Sequence, residues 1–125
     1  MPRVFAITKE EELLKELNKA LGCSQDLQFS SYVTPLKLIE NYTSMHSELV
    51  IVDLDLLGDQ ATHLMNVLRN IKKNVQFILI LSPDKMPICS EAISLGVISY
   101  ILKPCSGKNL SNLILSTLNK LKVHN

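Results

Sequence analysis

The regular alternation of short apolar runs with longer amphipathic segments constrains the fold more than any other feature of this sequence. Five runs of strand character are predicted at residues 3–7, 27–33, 48–54, 75–81 and 97–102. A segment with helical periodicity follows each of them, at residues 8–22, 35–44, 59–73, 84–96 and 107–122. Because right-handed crossovers join parallel strands, this order predicts a doubly wound, five-stranded parallel sheet in a three-layer α/β/α architecture.

The residue pattern also indicates where the strands lie and where the helices end. The first, third and fourth strands are almost continuously apolar, as expected of strands covered on both faces. The second alternates polar with apolar residues, so we expect it near an edge. Thr8 with Glu11 forms a candidate capping box, Gly22 ends the first helix and Pro35 opens the second. The last helix is expected to bury a stripe of Leu110, Leu113, Ile114, Leu118 and Leu121.

Size and charge exclude several classes of protein. With 125 residues, we expect one domain over residues 1–125. The composition is 46% hydrophobic and 20% charged, with a formal net charge of +1, so no electrostatic argument favours nucleic acid or membrane as a partner. The basic residues near the end, Lys120, Lys122 and His124, are expected to form a solvated helix end. No apolar run is long enough to span a bilayer, and no secretory signal is evident.

The cysteine and histidine residues do not form a recognisable site. Cys23, Cys89 and Cys105 lie far apart, without metal-ligand spacing, and three is an odd number for a disulfide framework. We therefore expect reduced thiols in a cytoplasmic protein. His46 and His63 have no evident nucleophile or metal partner, so surface or structural roles are expected.

Functional crevices in such sheets lie outside the carboxyl ends of the strands. The residues expected there are Thr8, Lys9, Asp53, Asp55, Ser82, Lys103 and Pro104. A carboxylate can act as a nucleophile and form an aspartyl phosphate, while a hydroxyl and an ammonium can bind oxygens of the transferring group. The set therefore suits phosphoryl transfer onto an acid.

Three stretches, "VIVDLDLLG", "FILILSPD" and "GVISYILKP", resemble the receiver domains of bacterial two-component response regulators. The resemblance covers the whole chain, and the Lys-Pro pair is its most specific part. It implies a flavodoxin-like (βα)5 fold and a role for Asp53 as the phosphoacceptor of a phosphorelay. By position, Ser82 and Lys103 match the residues that contact the phosphoryl group. Tyr100 matches the aromatic switch residue.

The metal site that the resemblance implies is altered in this chain. Thr8 and Lys9 stand where receiver domains carry the acidic pair that holds Mg²⁺, and Asp55 stands where a main-chain carbonyl usually binds the ion. Because Mg²⁺ prefers oxygen ligands that include carboxylates, Asp53 and Asp55 are expected to form a weak metal site at best. Lys9 could instead pair with Asp53. Glu10 could approach the site only if the first strand extended into Lys9.

Each site residue also has an ordinary interpretation. Asp53 could be a loop acid that caps the following helix, and Ser82 could cap the helix beginning near Asp84. Lys103 could be a surface lysine at a strand end, and Tyr100 a half-buried strand aromatic. The matching spacing of Asp53, Ser82 and Lys103 favours a shared site over these separate roles.

An enzyme of a different class is the rival interpretation. "DLDLL" also resembles the first motif of haloacid-dehalogenase-type phosphatases. Three features argue against that class: the acid-bearing strand is the third, Leu57 stands where Thr or Val belongs, and no later acidic pair follows Lys103. Cobalamin- and flavin-binding domains share the fold class, but neither Asp-x-His-x-x-Gly nor a phosphate loop after the first strand is present.

We therefore predict a signal-transduction domain that is not an enzyme and that works through protein partners, either a histidine kinase or a downstream regulator. An atypical receiver with impaired Mg²⁺-dependent phosphorylation is the first hypothesis, and a working receiver phosphorylated on Asp53 is the alternative. A partner or homodimer surface is predicted across the fourth helix, fifth strand and fifth helix, at Met86, Ile93, Tyr100 and Leu115.

Overall fold

A computed structural model describes residues 2–22 and 27–123 of the chain. The predictions for Cys23 and His124 fall outside these residues, as does the prediction for the side chain of Lys122. Within the described ranges, no helix combines the length and the apolarity that a membrane span requires.

The elements alternate as the sequence predicts, with small shifts at their ends. The strands are β1 (Arg3–Ile7), β2 (Gln28–Tyr32), β3 (Leu49–Asp53), β4 (Gln76–Leu81) and β5 (Val97–Leu102). The helices are α1 (Glu11–Gly22), α2 (Pro35–Ser44), α3 (Leu54–Leu57), α4 (Gln60–Ile71), α5 (Met86–Ala92) and α6 (Gly107–Val123). The one-turn helix α3 was not predicted, so the fourth and fifth predicted helices correspond to α5 and α6.

The fourth predicted helix is divided into three parts. A 3₁₀ turn at Pro83–Lys85 precedes α5, and a second 3₁₀ turn at Ile93–Leu95 follows it. Pro83 and Pro87 each lie in the first turn of their segment, where the missing N–H leaves no helical hydrogen bond unmade. Gly96 then ends the segment with a φ of 94°, a left-handed conformation that glycine adopts without steric cost.

The five strands form one parallel sheet in the order β2-β1-β3-β4-β5. This arrangement confirms the predicted flavodoxin-like, doubly wound fold, including the edge position of β2. The crossover from β1 leads to β2 at one edge, and the crossover from β2 returns past β1 to β3, so a crevice opens at the carboxyl ends of β1 and β3, where the direction reverses. Asp53 is the last residue of β3, level with Ile80 of β4, and it therefore lies at this crevice.

Helices cover both faces of the sheet with separate apolar cores. On one face, side chains such as Val50, Val52 and Leu79 pack with α2, α4 and α5. On the other face, side chains such as Ile51 and Ile80 pack with α1 and α6, whose buried residues include Leu110, Ile114 and Leu118 of the predicted stripe. Successive residues of β3 and β4 thus face opposite sides of the sheet, as the period of two in a β-strand requires. Burial on both faces explains why the inner strands are almost entirely apolar.

The start of α1 differs from the prediction. The helix begins at Glu11, and the N–H of Leu14 donates to the carbonyl of Glu10, so Thr8 lies too early to be its N-cap. The predicted capping box at Thr8 is therefore wrong. The Thr8 hydroxyl accepts a hydrogen bond from the N–H of Glu10 at 3.2 Å, which folds the β1–α1 loop back on itself.

Candidate functional site

Asp53 is the centre of a polar cluster at the carboxyl edge of the sheet. Its side chain is 1% exposed, although it is ionisable. Oδ1 accepts hydrogen bonds from the N–H groups of Asp55 and Leu56, at 2.9 and 3.4 Å, so Asp53 is also the N-cap of α3. Oδ2 accepts a hydrogen bond from the Thr8 hydroxyl at 2.7 Å. The helix-capping interpretation of Asp53 is thus correct, and the unpredicted helix α3 is what it caps.

Lys103 supplies the positive charge that this buried carboxylate needs. Its N–H donates to the carbonyl of Leu81, which continues the β4–β5 pairing and holds Lys103 at the edge of the sheet. Its ammonium donates to Asp53 Oδ1 at 2.9 Å and to Oδ2 at 3.0 Å. The Lys103 side chain is 14% exposed, so the surface-lysine interpretation is wrong. A buried charge is tolerated when it is paired and hydrogen-bonded, as both partners are here.

The same ammonium also contacts two further carboxylates. It lies 3.1 Å from Asp55 Oδ2 and forms an ion pair with Glu10. Burial disfavours the charged form of Lys103, but the hydrogen bonds to Glu10, Asp53 and Asp55 outweigh it and raise the pKa of Lys103 above its ordinary value. Three carboxylates therefore surround one ammonium.

Asp55 links the ion cluster to β4 through Ser82. The Ser82 hydroxyl donates to Asp55 Oδ2 at 2.6 Å, and the Ser82 N–H donates to Asp55 Oδ1 at 3.1 Å. Partial burial opposes ionisation of Asp55, but the hydrogen bonds from Ser82 and Lys103 outweigh it and lower the pKa of Asp55. Ser82 makes no side-chain hydrogen bond to the following turn, so the interpretation of its hydroxyl as a helix cap is wrong.

The donor set at this edge does not fit Mg²⁺. The ion needs oxygen ligands around a shared central position, and between Asp53 and Asp55 that position is held by the Lys103 ammonium. The hydroxyl of Thr8 is turned to Asp53 as a donor. In the part of the chain that the structure describes, no three Asp, Glu, His or Cys side chains form a group able to hold a metal ion.

The two charged residues of the β1–α1 loop behave differently from the sequence-based expectation. Lys9 is exposed, and within residues 2–22 and 27–123 it makes no ion pair, so the suggested Lys9–Asp53 pair is wrong. Glu10 reaches the cluster through Lys103 although β1 ends at Ile7. The loop turn at Thr8 brings Glu10 back over the sheet edge. The expected extension of β1 into Lys9 is therefore not required.

Tyr100 lies apart from the ion cluster on the edge strand β5. Its side chain is 44% exposed and shares its side of β5 with two other exposed apolar residues, Ile98 and Leu102. A shallow depression, which we call the β5 depression, is lined by Ile93, Val97, Ile98, Ser99 and Tyr100. The structure therefore brings together two of the four residues predicted for a partner surface, Ile93 and Tyr100.

The other two predicted partner residues have different surroundings. Met86 is partly buried and packs against the core that contains Cys89 and Ala92, so its predicted place off the core stripe is wrong. Leu115 is 39% exposed and lines a groove between α1 and α6, together with Glu16, Ala20 and other residues. The four residues therefore do not form one patch.

Among the described residues, the cysteines and histidines form no hydrogen bond or ion pair with the cluster, although Cys105 lies close enough to interact with its charges. Cys89 and Cys105 are free, and burial raises the pKa of each thiol, which makes both less reactive than an exposed cysteine. His46 and His63 are exposed, as expected.

A buried aspartate at the end of β3, a serine after β4 and a lysine after β5 occupy the positions at which the sequence resembles a signalling domain of the receiver type. The family model described as "Response regulator receiver domain" matches residues 4–115, and the chain belongs to that family. It is accordingly a response-regulator receiver domain of two-component signal transduction. No curated protein sequence matches the chain significantly.

Solved structures show the same fold at low sequence identity. A redox sensor of the streptococci, described as evolved from two-component response regulators, has a TM-score of 0.82 at 19% identity, over 100% of this chain and 56% of that one. A CheY-like receiver domain protein from Methanospirillum hungatei JF-1 has a TM-score of 0.80 at 15% identity, over 100% and 99% of the two chains. A receiver domain protein from Clostridium thermocellum has a TM-score of 0.81 at 16% identity, over 100% of both.

Proposed function

We propose that this chain is an atypical receiver domain in which an internal ammonium replaces the metal ion and holds the acceptor site closed. Its signalling then depends on protein–protein contacts and not on Mg²⁺-dependent phosphorylation of Asp53. The observation that carries the proposal is the contact of the Lys103 ammonium with both oxygens of Asp53, while it also contacts Asp55 and Glu10.

The charge balance of the cluster supports this proposal. Glu10, Asp53 and Asp55 carry three negative charges against the single charge of Lys103, so an incoming phosphodonor, itself anionic, meets net negative charge. A divalent cation at this position would offset that repulsion, but Thr8 and Lys9 provide no carboxylate to hold one. Hydrogen bonds to charged groups are worth about 1.5–3 kcal/mol each, so releasing Asp53 from Lys103 adds a barrier before any chemistry begins.

A working phosphoacceptor is the second candidate. Asp53, Ser82 and Lys103 lie at one edge of the sheet, and the Ser82 hydroxyl and Lys103 ammonium both contact Asp55, beside Asp53. A phosphoryl group on Asp53 could take over these donors, since a phosphate oxygen accepts hydrogen bonds as a carboxylate oxygen does. In this alternative, a histidine kinase would be the donor.

The output surface that we favour is the β5 depression. Receiver domains interact with histidine kinases and downstream effectors as protein partners. The exposed apolar side chains Ile93, Ile98 and Tyr100 offer such a partner, or a second copy of the chain, an area without charges to desolvate. We propose that this surface, and not an enzymatic activity, transmits the signal.

Magnesium binding tests the proposal, with a variant that restores the missing carboxylates as the comparison. The double variant Thr8→Asp, Lys9→Asp should gain Mg²⁺-dependent stabilisation in a thermal unfolding assay, because binding to the native state adds RT ln(1 + [L]/Kd). The unaltered chain should show no change in melting temperature between Mg²⁺ and EDTA. Because Thr8 is buried and an acid there adds repulsion, the single variant Lys9→Asp at an exposed position provides a second comparison. A stabilising effect of Mg²⁺ on the unaltered chain would contradict the proposal.

A further inference from the structure

A basic cavity lies at the opposite end of the molecule from Asp53. It has a volume of about 520 Å³ and is lined by Glu48, Arg69, Lys72, Lys73, Asn74, Val75, Gln76, Gly96 and Leu121. Gln76 is the first residue of β4, and Gly96 directly precedes β5. The cavity therefore opens at the amino ends of these strands, whereas Asp53 lies at the carboxyl end of β3. The two sites do not share a residue.

The charges around this cavity are unbalanced. Three cations, Arg69, Lys72 and Lys73, face one carboxylate, Glu48, which accepts a hydrogen bond from the N–H of Arg3 at 3.2 Å. None of the three cations forms an ion pair within the described part of the chain, although Arg69 and Lys72 are partly buried. Partly buried charge that forms no ion pair costs free energy, and a bound anion would recover it.

The end of α4 explains part of this arrangement but not all of it. Arg69 lies in the last turn of α4 and Lys72 is its C-cap, so both cations interact favourably with the negative end of the helix dipole. That interaction is satisfied with the side chains pointing to solvent. It accounts neither for the cavity nor for Lys73, which lies beyond the helix end.

The geometry points to a binding site for a small polyanion of the diphosphate type in this cavity. Arg69 offers a planar fork of donors that matches two oxygens of one phosphoryl group, and Lys72 and Lys73 offer point charges for a second. The side-chain amides of Asn74 and Gln76 add neutral donors at the rim. Among the residues that the structure describes, no aromatic side chain lines the cavity, so none of them would stack on a nucleobase. The anionic group itself is thus the feature recognised.

Titration with inorganic pyrophosphate, followed through backbone amide chemical shifts, tests this assignment. Shifts should concentrate at residues 69–76 and should weaken as salt is added, because the attraction is screened. Arg69→Gln and Lys72→Gln should each weaken binding about tenfold, the loss expected for one charge-assisted hydrogen bond. Lys37→Gln, which removes an exposed lysine on α2, is the matched control and should leave the dissociation constant unchanged.

A parallel titration with adenosine diphosphate separates two sources of the same chemical group. Equal affinity for both ligands supports a site for the free anion, and tighter binding of the nucleotide supports a site for its diphosphate with contacts outside the cavity. Both outcomes require that Arg69→Gln and Lys72→Gln weaken binding while the unfolding midpoint of each variant stays near that of the unaltered chain. Shifts spread over the whole surface, or equal binding by the variants and the control, would overturn the assignment.

Discussion

Replacing Lys103 with methionine removes the central charge of the acceptor site and keeps most of the side-chain volume. Three carboxylates then lie close together without a cation, and Asp53, at 1% exposure, cannot be hydrated. Breaking a buried ion pair by removing one partner costs about 3–5 kcal/mol. Glu10 is 46% exposed and gains little from its contact, so we place the loss of unfolding free energy in Lys103→Met at the lower end of this range, about 3 kcal/mol.

The pH dependence of this loss follows from the two shifted groups. The pKa of Lys103 is raised by folding, so its stabilising contribution is complete below the unfolded lysine value of about 10.4 and is lost only as pH rises through the higher folded value. The pKa of Asp55 is lowered by folding, so its contribution is present above the unfolded value of about 3.9 and is lost as pH falls through the folded value. The difference in unfolding free energy between the unaltered chain and Lys103→Met is therefore largest at neutral pH and shrinks below about pH 4.

Chemical denaturation of both proteins at neutral and acid pH measures this difference. Lys37→Met is the control, because Lys37 and Glu40 are both exposed and such surface pairs contribute about 0–1 kcal/mol. A loss no greater than that of the control, or a loss that does not change between pH 7 and acid, would refute the electrostatic reasoning.

Two further substitutions test neighbouring contacts by the same measurement. Ser82→Ala should lower the unfolding free energy by about 1–2 kcal/mol and raise the pKa of Asp55. The reason is that the substitution removes one of the hydrogen bonds that favour the Asp55 anion. An unchanged Asp55 titration, followed by NMR, would contradict this role of Ser82. Gly107→Ala should destabilise the protein by about 1–3 kcal/mol, although alanine favours helices. A Cβ at residue 107 would overlap with the Cβ of Glu16 and would disturb the Glu16 carboxylate, which accepts a hydrogen bond from the Gly107 N–H. A variant as stable as the unaltered chain would contradict this prediction and show that α1 moves aside freely.

The fold was predictable because its signals are periodic and lie within single elements. Burial on both faces makes β3 and β4 continuous apolar runs, and the stripe at Leu110, Ile114 and Leu118 marks the buried side of α6. Right-handed crossovers predict a doubly wound parallel sheet, but several strand orders satisfy that rule, and the flavodoxin-like arrangement was implied by the resemblance to receiver domains. One-turn elements escape such reasoning, and α3 was missed because four residues show no period.

The site was predictable only in part. The carboxyl-edge rule brings Asp53, Ser82 and Lys103 to one edge, but it does not state which atoms meet. The serine hydroxyl pairs with Asp55, and the ammonium is shared among three carboxylates, because side-chain reach and loop conformation decide these contacts. Glu10 reaches the ion cluster because the loop turns at Thr8. The sequence signal for this turn was the threonine two residues before the acid, since a threonine hydroxyl can accept a hydrogen bond from a nearby backbone N–H.

Two of the four residues predicted for the partner surface, Met86 and Leu115, lie elsewhere because the helical wheel assumed one continuous helix and did not specify neighbours. The wheel placed Met86 away from the core, but α5 begins only at Met86, and Cys89 and Ala92 set its buried side. Leu115 lies off the core stripe as expected, but towards α1 and not towards β5. Exposure on a wheel does not specify which neighbour a side chain faces.

Intact-mass spectrometry after incubation with a small phosphodonor tests the central claim most directly. The reactions would contain Mg²⁺ or EDTA, with Asp53→Asn as the variant that lacks the acceptor and Thr8→Asp, Lys9→Asp as the variant with the acidic pair restored. We predict no added phosphoryl mass on the unaltered chain in either condition, and a Mg²⁺-dependent gain on the restored variant. A Mg²⁺-dependent gain of one phosphoryl group on the unaltered chain, absent in Asp53→Asn, would contradict it and identify a working phosphoacceptor.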